Sequence, residues 1–207
     1  MAEKQELSLT EAQIDALREV GNIGAGHAAT ALSQLIKKKI MISVPEVKVI
    51  NLDEIPNLIG DSQSLVAGIV MNVLGDITAK ILLLLTRESA LSLADMLLQK
   101  KPGTSKVLSE IGNSAIKETG NILSGAYMNA LNEFLGLMLL PSVPNLVFDI
   151  AGAILSALSE GFEGISSKIL SIETQFSEAN EKIIKGYLLL IPDIPSVGVI
   201  LNAIKVK

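Results

Sequence analysis

Cysteine is absent from this 207-residue chain, which removes disulfides, thiol nucleophiles and thiolate metal sites together. Histidine occurs once, at His27, so a histidine-rich zinc site cannot be built and a Ser–His–Asp triad would have to use that one ring. Arginine occurs only at Arg18 and Arg87, and tryptophan is missing. With a net charge of −5 and 3 % aromatic residues, the chain has neither a basic stripe to neutralise phosphates nor rings for bases to stack on. No nucleic-acid partner is expected.

Long unbroken apolar runs are missing too, although 49 % of the residues are apolar and mean hydropathy is +0.47. The run from Phe134 to Ser159 is broken by Pro141, Pro144 and Asn145, and Gly186 to Ile204 carries Pro192, Asp193 and Pro195. The run Ile77 to Thr86 contains Lys80 and falls far short of the roughly 20 residues that span a bilayer. The first residues, MAEKQELSLTEAQ, are polar and unlike a signal peptide. These features predict a cytoplasmic protein with no membrane insertion and an ordered core.

Helical periodicity runs from Glu11 to Lys38, with Thr10 and Gln13 spaced as a capping box. Met41–Leu52 reads as extended, and Ser64–Val73 and Ile77–Thr86 read as strands joined by a turn at Gly75-Asp76. The leucines from Leu82 to Leu85 suggest a strand covered on both faces. Arg87–Gln99 is helical, and Lys100-Lys101-Pro102-Gly103 breaks the pattern. The order then restarts: a helix over Ser105–Gly136, an extended Val143–Phe148, an extra short helix over Asp149–Ser159, strands Ile165–Phe176 and Ile183–Ile191, and a helix over Ser196–Lys205.

The restart is an internal repeat at an offset of 99 residues. Asp15, Glu19, Asn22 and Pro45 correspond to Ser114, Glu118, Asn121 and Pro144, so the pattern D/S-x3-E-x2-N-x22-P occurs twice with unchanged spacing. One copy arising by chance is roughly a 1-in-400 event at ordinary residue frequencies. On a helical wheel Ile14, Leu17, Val20, Gly21, Ala28, Ala31, Leu32 and Leu35 gather on one side, while Asp15, Glu19 and Asn22 share a stripe on the other. Such a carboxylate can pair with a lysine, and such a carboxamide can orient a water or an N–H donor. Asparagine is a poor helix former, so finding it mid-helix beside a glycine, twice, argues against a merely solvated face. Gly21, Gly24, Gly26, Gly120 and Gly125 each cost helix stability and would make sense where a neighbouring helix or a docked protein approaches closely.

Three features are set aside. Glu110-Ile111-Gly112-Asn113 repeats the E-x2-N core, but Gly136 stands where the proline belongs and Lys106 where Asp or Ser belongs. GNIGAG has the order G-x-x-G-x-G with no strand before it, unlike a nucleotide loop. His27 lies at the edge of the apolar face, and its counterpart is Ala126, so a structural role is expected.

The doubled pattern, the GNIGAG and GNILSG segments and the 99-residue repeat resemble the CheC/CheX/FliY phosphatases of bacterial and archaeal chemotaxis, from about Leu9 to Lys205. In length and in having two sites the chain is most similar to the CheC branch. The resemblance implies an α+β fold with a pseudo-twofold internal repeat, two long helices packed on a shared, mainly antiparallel β-sheet. It also implies one CheC-like domain over 1–207, made of repeats at about 9–101 and 105–207. The implied substrate is the aspartyl phosphate of the response regulator CheY, which brings its own Mg²⁺ and lysine, so no cofactor or metal is expected on this chain. Catalytic roles fall to Asn22 and Asn121, which would position the attacking water, and to Glu19 and Glu118, which would pair with the regulator's lysine. Asp15 and Ser114 are the accompanying binding positions. Both residue types fit the pattern, so two competent sites are expected, not necessarily of equal strength. The deamidase CheD is a second implied partner. With two sites in one chain a monomer is expected. The alternative reading is a non-catalytic docking or adaptor module of the same fold, flagellar-switch-like or CheD-binding.

Overall fold

The computed structural model describes residues 7–158, 164, 166–178 and 183–204. Ser159, Ile165 and Lys205, the limits of three expected elements, lie outside these. Thr10 caps the first helix as its sequence predicts: its Oγ1 accepts from the Gln13 N–H (3.3 Å) and Gln13 Oε1 accepts from the Thr10 N–H (2.8 Å). Helix α1 runs Glu11–Ile36 and ends on Lys37 in the left-handed conformation. Helix α3, Glu110–Leu135, has the same length of 26 residues and ends on a left-handed Gly136, the counterpart of Lys37. It starts later than Ser105 because Ser109 is its cap and Asp95, at the end of helix α2 (Arg87–Leu97), accepts hydrogen bonds from the Ser105 N–H (3.2 Å). Helices α4, Ala151–Leu158, and α5, Ile194–Ala203, complete the set.

The strands are β1 Ile40–Ser43, β2 Val47–Asn51, β3 Leu65–Gly75, β4 Ala79–Thr86, β5 Leu139–Pro141, β6 Asn145–Ile150, β7 Lys168–Glu178 and β8 Ile184–Pro192. The expected single stretch Met41–Leu52 is therefore two strands, broken at Val44-Pro45-Glu46, where proline supplies no ladder donor. All pairings are antiparallel. The sheet order is β1-β7-β8-β4-β3-β5, with β2 also on β7 and β6 also on β3. Exchanging the repeats turns this order into its own reverse, which is the pseudo-twofold, with β4 and β8 paired at the centre. Each repeat also lends its first two strands to the other: β1 and β2 pair with β7, and β5 and β6 pair with β3.

Both faces of the sheet are covered. Ile81, Leu83 and Leu85 of β4 point to a core with Leu17, Ala28 and Leu32 of α1, Ile116, Leu123 and Tyr127 of α3 and Val197 of α5. Leu82 and Leu84 point to a smaller core with Ile154 and Leu158 of α4 and with Ile55. Burial of the whole leucine run follows. Ile55 belongs to a 3-10 helix, Leu52–Leu58, unexpected from sequence, which stands at the repeat position of α4; Pro56 inside it explains why it is not an α-helix. Leu35, expected on the apolar face of α1, is instead 56 % exposed, and Ile36 is buried in its place. No helix of the described residues is long and apolar enough to cross a membrane. Burial pushes the Tyr127 hydroxyl up to about 12, against a hydrogen bond to Thr174 that lowers it.

Candidate active site

Helix α1 buries Leu17, Val20, Gly21, Gly24, Ala25 and Ala28, which turns Asp15, Glu19 and Asn22 outward to solvent. Helix α3 does the same with Ser114, Glu118 and Asn121. The structure thus keeps each expected trio on one exposed stripe. Asp15 forms an ion pair with Arg18 (2.8 Å), exposed enough to contribute at most about 1 kcal/mol. The Glu19 and Glu118 carboxylates have no hydrogen-bond partner among the described residues.

In the first copy the asparagine meets the residue that precedes the motif's proline. Asn22 Oδ1 accepts from the Val44 N–H (3.0 Å), and its Nδ2 donates to the Val44 carbonyl (3.4 Å) and to the Arg18 carbonyl (3.0 Å). Val44 precedes Pro45, which favours extended backbone at that position. The 22-residue spacer is thus the path from the helix through its end and β1 back to the same spot. In the second copy a cavity of about 450 Å³ is lined by Ser114, Lys117, Glu118, Asn121, Pro141, Ser142, Val143 and Pro144. Arg18, Lys117, Val44 and Val143 escaped the sequence reading; their places beside the motif residues and prolines were the available signal.

The glycines divide into two groups. A Cβ on Gly24 would lie 2.8 Å from Tyr127 Cδ1, and one on Gly120 would lie 2.8 Å from Ile69 Cγ2, so these serve packing within the fold. A Cβ on Gly26 or Gly125 meets nothing within 4 Å. These two stand four residues after the asparagines, on the motif stripe. His27 is exposed beside Gly26. Asn113 of the set-aside motif lines a different cavity, with Leu65, Arg87, Val107 and Phe148. Among the described residues, no group of three or more His, Cys, Asp and Glu could hold a metal ion.

The CheC-like family model matches residues 13–49 and 111–148, the two motif-bearing helices and the strands after them. The chain is also 33 % identical over 191 residues to the CheY-P phosphatase CheC of Bacillus subtilis, covering 91 % of each chain. This protein belongs to the CheC-like family. Within that family resemblance, it is 30 % identical over 125 residues to the flagellar motor switch phosphatase FliY of Bacillus subtilis, spanning 60 % of this chain and 32 % of that one. Among solved structures, Thermotoga maritima FliY matches with a TM-score of 0.75 at 20 % identity, over 95 % of this chain and 97 % of that one. The FliM middle domain from H. pylori matches with a TM-score of 0.65 at 10 % identity, over 94 % and 99 %. These structural likenesses establish the fold, and the expected α+β architecture of a CheC-like protein is what the chain has.

Proposed function

We propose that this chain is a phosphatase that hydrolyses the aspartyl phosphate of a CheY-type response regulator. The reading is supported by the repeated pair itself: an unpaired glutamate with an asparagine three residues on, exposed on a helix, twice, in a chain one-third identical to a CheY-P phosphatase. Asn22 or Asn121 enters the regulator's site and orients a water in line with phosphorus. The water attacks, the bond from phosphorus to the aspartyl oxygen breaks, and inorganic phosphate and a free carboxylate result. Glu19 or Glu118 pairs with the regulator's lysine and fixes the docking, with Asp15 or Ser114 at its edge. Phosphoryl transfer asks mainly for positioning and charge neutralisation. The regulator supplies Mg²⁺ and lysine, so one oriented carboxamide suffices on this side. No nucleophile or cofactor of this chain is required.

The chain acts as one two-repeat domain, a cytoplasmic monomer, and CheD is a further partner in this reading. The test is phosphate release from a Mg²⁺-loaded, phosphorylated CheY with and without the protein. Acceleration that Asn22→Ala plus Asn121→Ala abolishes in a folded protein supports the reading. Binding without acceleration would leave the docking or adaptor alternative.

A further inference from the structure

The two copies of the motif are built differently at the asparagine. Asn22 is held on both sides by the main chain of Val44, at 3.0 and 3.4 Å, whereas the Asn121 carboxamide has no hydrogen-bond partner among the described residues. Val44 is 3 % exposed and its counterpart Val143 is 84 % exposed. The difference is local, because the copies keep a matching device eleven residues further along each helix. There Ser33 Oγ accepts from the Ile40 N–H (2.9 Å) and Asn132 Oδ1 accepts from the Leu139 N–H (3.0 Å). The loops are equally long but offset by one position: Val44–Glu46 face two residues of β7, and Ser142–Pro144 face two of β3. What changes is sequence and anchoring. Pro141 replaces Ile42, and Ser142 is fixed to β3 by accepting from the Asn72 N–H at its Oγ (3.0 Å) and donating its own N–H to the Asn72 carbonyl (2.8 Å). Val143 is thereby turned to solvent.

The geometry points to Val44 as a positioning residue whose main chain is a latch: it parks Asn22 against the protein, so the unlatched site at Glu118 and Asn121 carries most of the turnover. This rests on the phosphatase reading above. To present its carboxamide to a water in the regulator, Asn22 must release Val44 and leave a buried N–H without its acceptor, while Asn121 releases nothing. Losing two such bonds in each productive encounter slows the first site on the order of tenfold relative to the second.

Two measurements on the full chain decide this. In phosphate release from phosphorylated, Mg²⁺-loaded CheY, Asn121→Ala should leave about a tenth of the turnover, and Asn22→Ala should remove only about a tenth. In amide hydrogen exchange of the free protein, the Val44 N–H should exchange slowly and speed up at least about tenfold in Asn22→Ala. The Val143 N–H should be fast and indifferent to Asn121→Ala. Equal losses in the two variants, or a larger loss from Asn22→Ala, would mean that Val44 orients Asn22 productively and would overturn the inference. Unchanged Val44 exchange in Asn22→Ala would remove the latch itself, whatever the kinetics. A wild-type protein that releases no phosphate would instead refute the phosphatase reading, and the exchange data would still judge the latch.

Discussion

Replacing glycine by alanine at two places on α1, two residues apart, should change stability in opposite directions. At Gly26 an added Cβ meets nothing within 4 Å, so Gly26→Ala gains the helix propensity difference, about 0.5–1 kcal/mol. At Gly24 the Cβ would lie 2.8 Å from Tyr127 Cδ1, 3.1 Å from Tyr127 Cα and 3.2 Å from the Ala126 carbonyl oxygen. Two of those atoms are backbone, and the Tyr127 ring is 1 % exposed and tethered to Thr174 Oγ1 (3.3 Å), so α1 and α3 themselves must separate. Overpacking of this kind costs about 1–3 kcal/mol, and after the propensity gain a net loss of about 1–2 kcal/mol remains for Gly24→Ala. Urea unfolding with a common m-value should therefore place the two variants about 1–3 kcal/mol apart, on either side of wild type. Equal stabilisation of both would refute the close approach of the helices. The same substitution carries a functional arm. Gly26 and Gly125 lie on the motif stripe and have no packing duty; if that stripe docks the regulator as proposed, Gly125→Ala should raise stability while lowering phosphate release, the trade expected where a partner needs the space.

Gly75→Ala should destabilise the protein by about 3 kcal/mol or more in chemical denaturation, because φ is +128° and the new Cβ would collide with the Met138 carbonyl oxygen of the other repeat. For Asp95, burial pushes the carboxyl up, but hydrogen bonds from Ser105, Thr104 and Gly103 prevail and hold it below the ordinary value of 3.8. Its contribution is then complete above about pH 4 and fades as pH falls through the lowered folded value. Asp95→Asn should cost about 1–3 kcal/mol at pH 7, and its gap to wild type should narrow as unfolding is repeated at progressively lower pH.

What sequence reveals here is local. The Thr10–Gln13 box, the turn at Gly75-Asp76 and the doubly covered leucines of β4 each depend on residues within a few positions of one another, so pattern suffices. The exchange of β1 and β2 onto β7 depends on partners more than a hundred residues away, and alternating hydrophobicity counts strands without naming their neighbours. Leu35 was misplaced for a related reason: it lies about 60° from Leu32 on the wheel and Ile36 about 40°, and which of the two is covered depends on what packs beneath. At the candidate site the motif residues were legible because the repeat prints them twice. The grip of Val44 on Asn22 was not, because the motif is identical where the grip is missing.

The exchange of strands also bears on whether the repeats are units. Each site combines a helix of one repeat with a loop whose flanking strands pair with the other repeat: Val44 sits between β1 and β2, which among the described residues pair with β7 alone. A fragment of residues 9–101 would lose β7 and β8, leaving β1 and β2 without any ladder and Leu82–Leu84 paired with β3 alone, their β8 edge open. It would also lose α3, whose Tyr127 packs against Gly24 of α1. Unpaired edges and an uncovered leucine run favour disorder or association over a folded monomer. The fragment should therefore show no cooperative urea transition by circular dichroism at low concentration, whereas the full chain shows one. A cooperative transition in the isolated, monomeric fragment would mean that the repeats fold independently, without the strands they exchange.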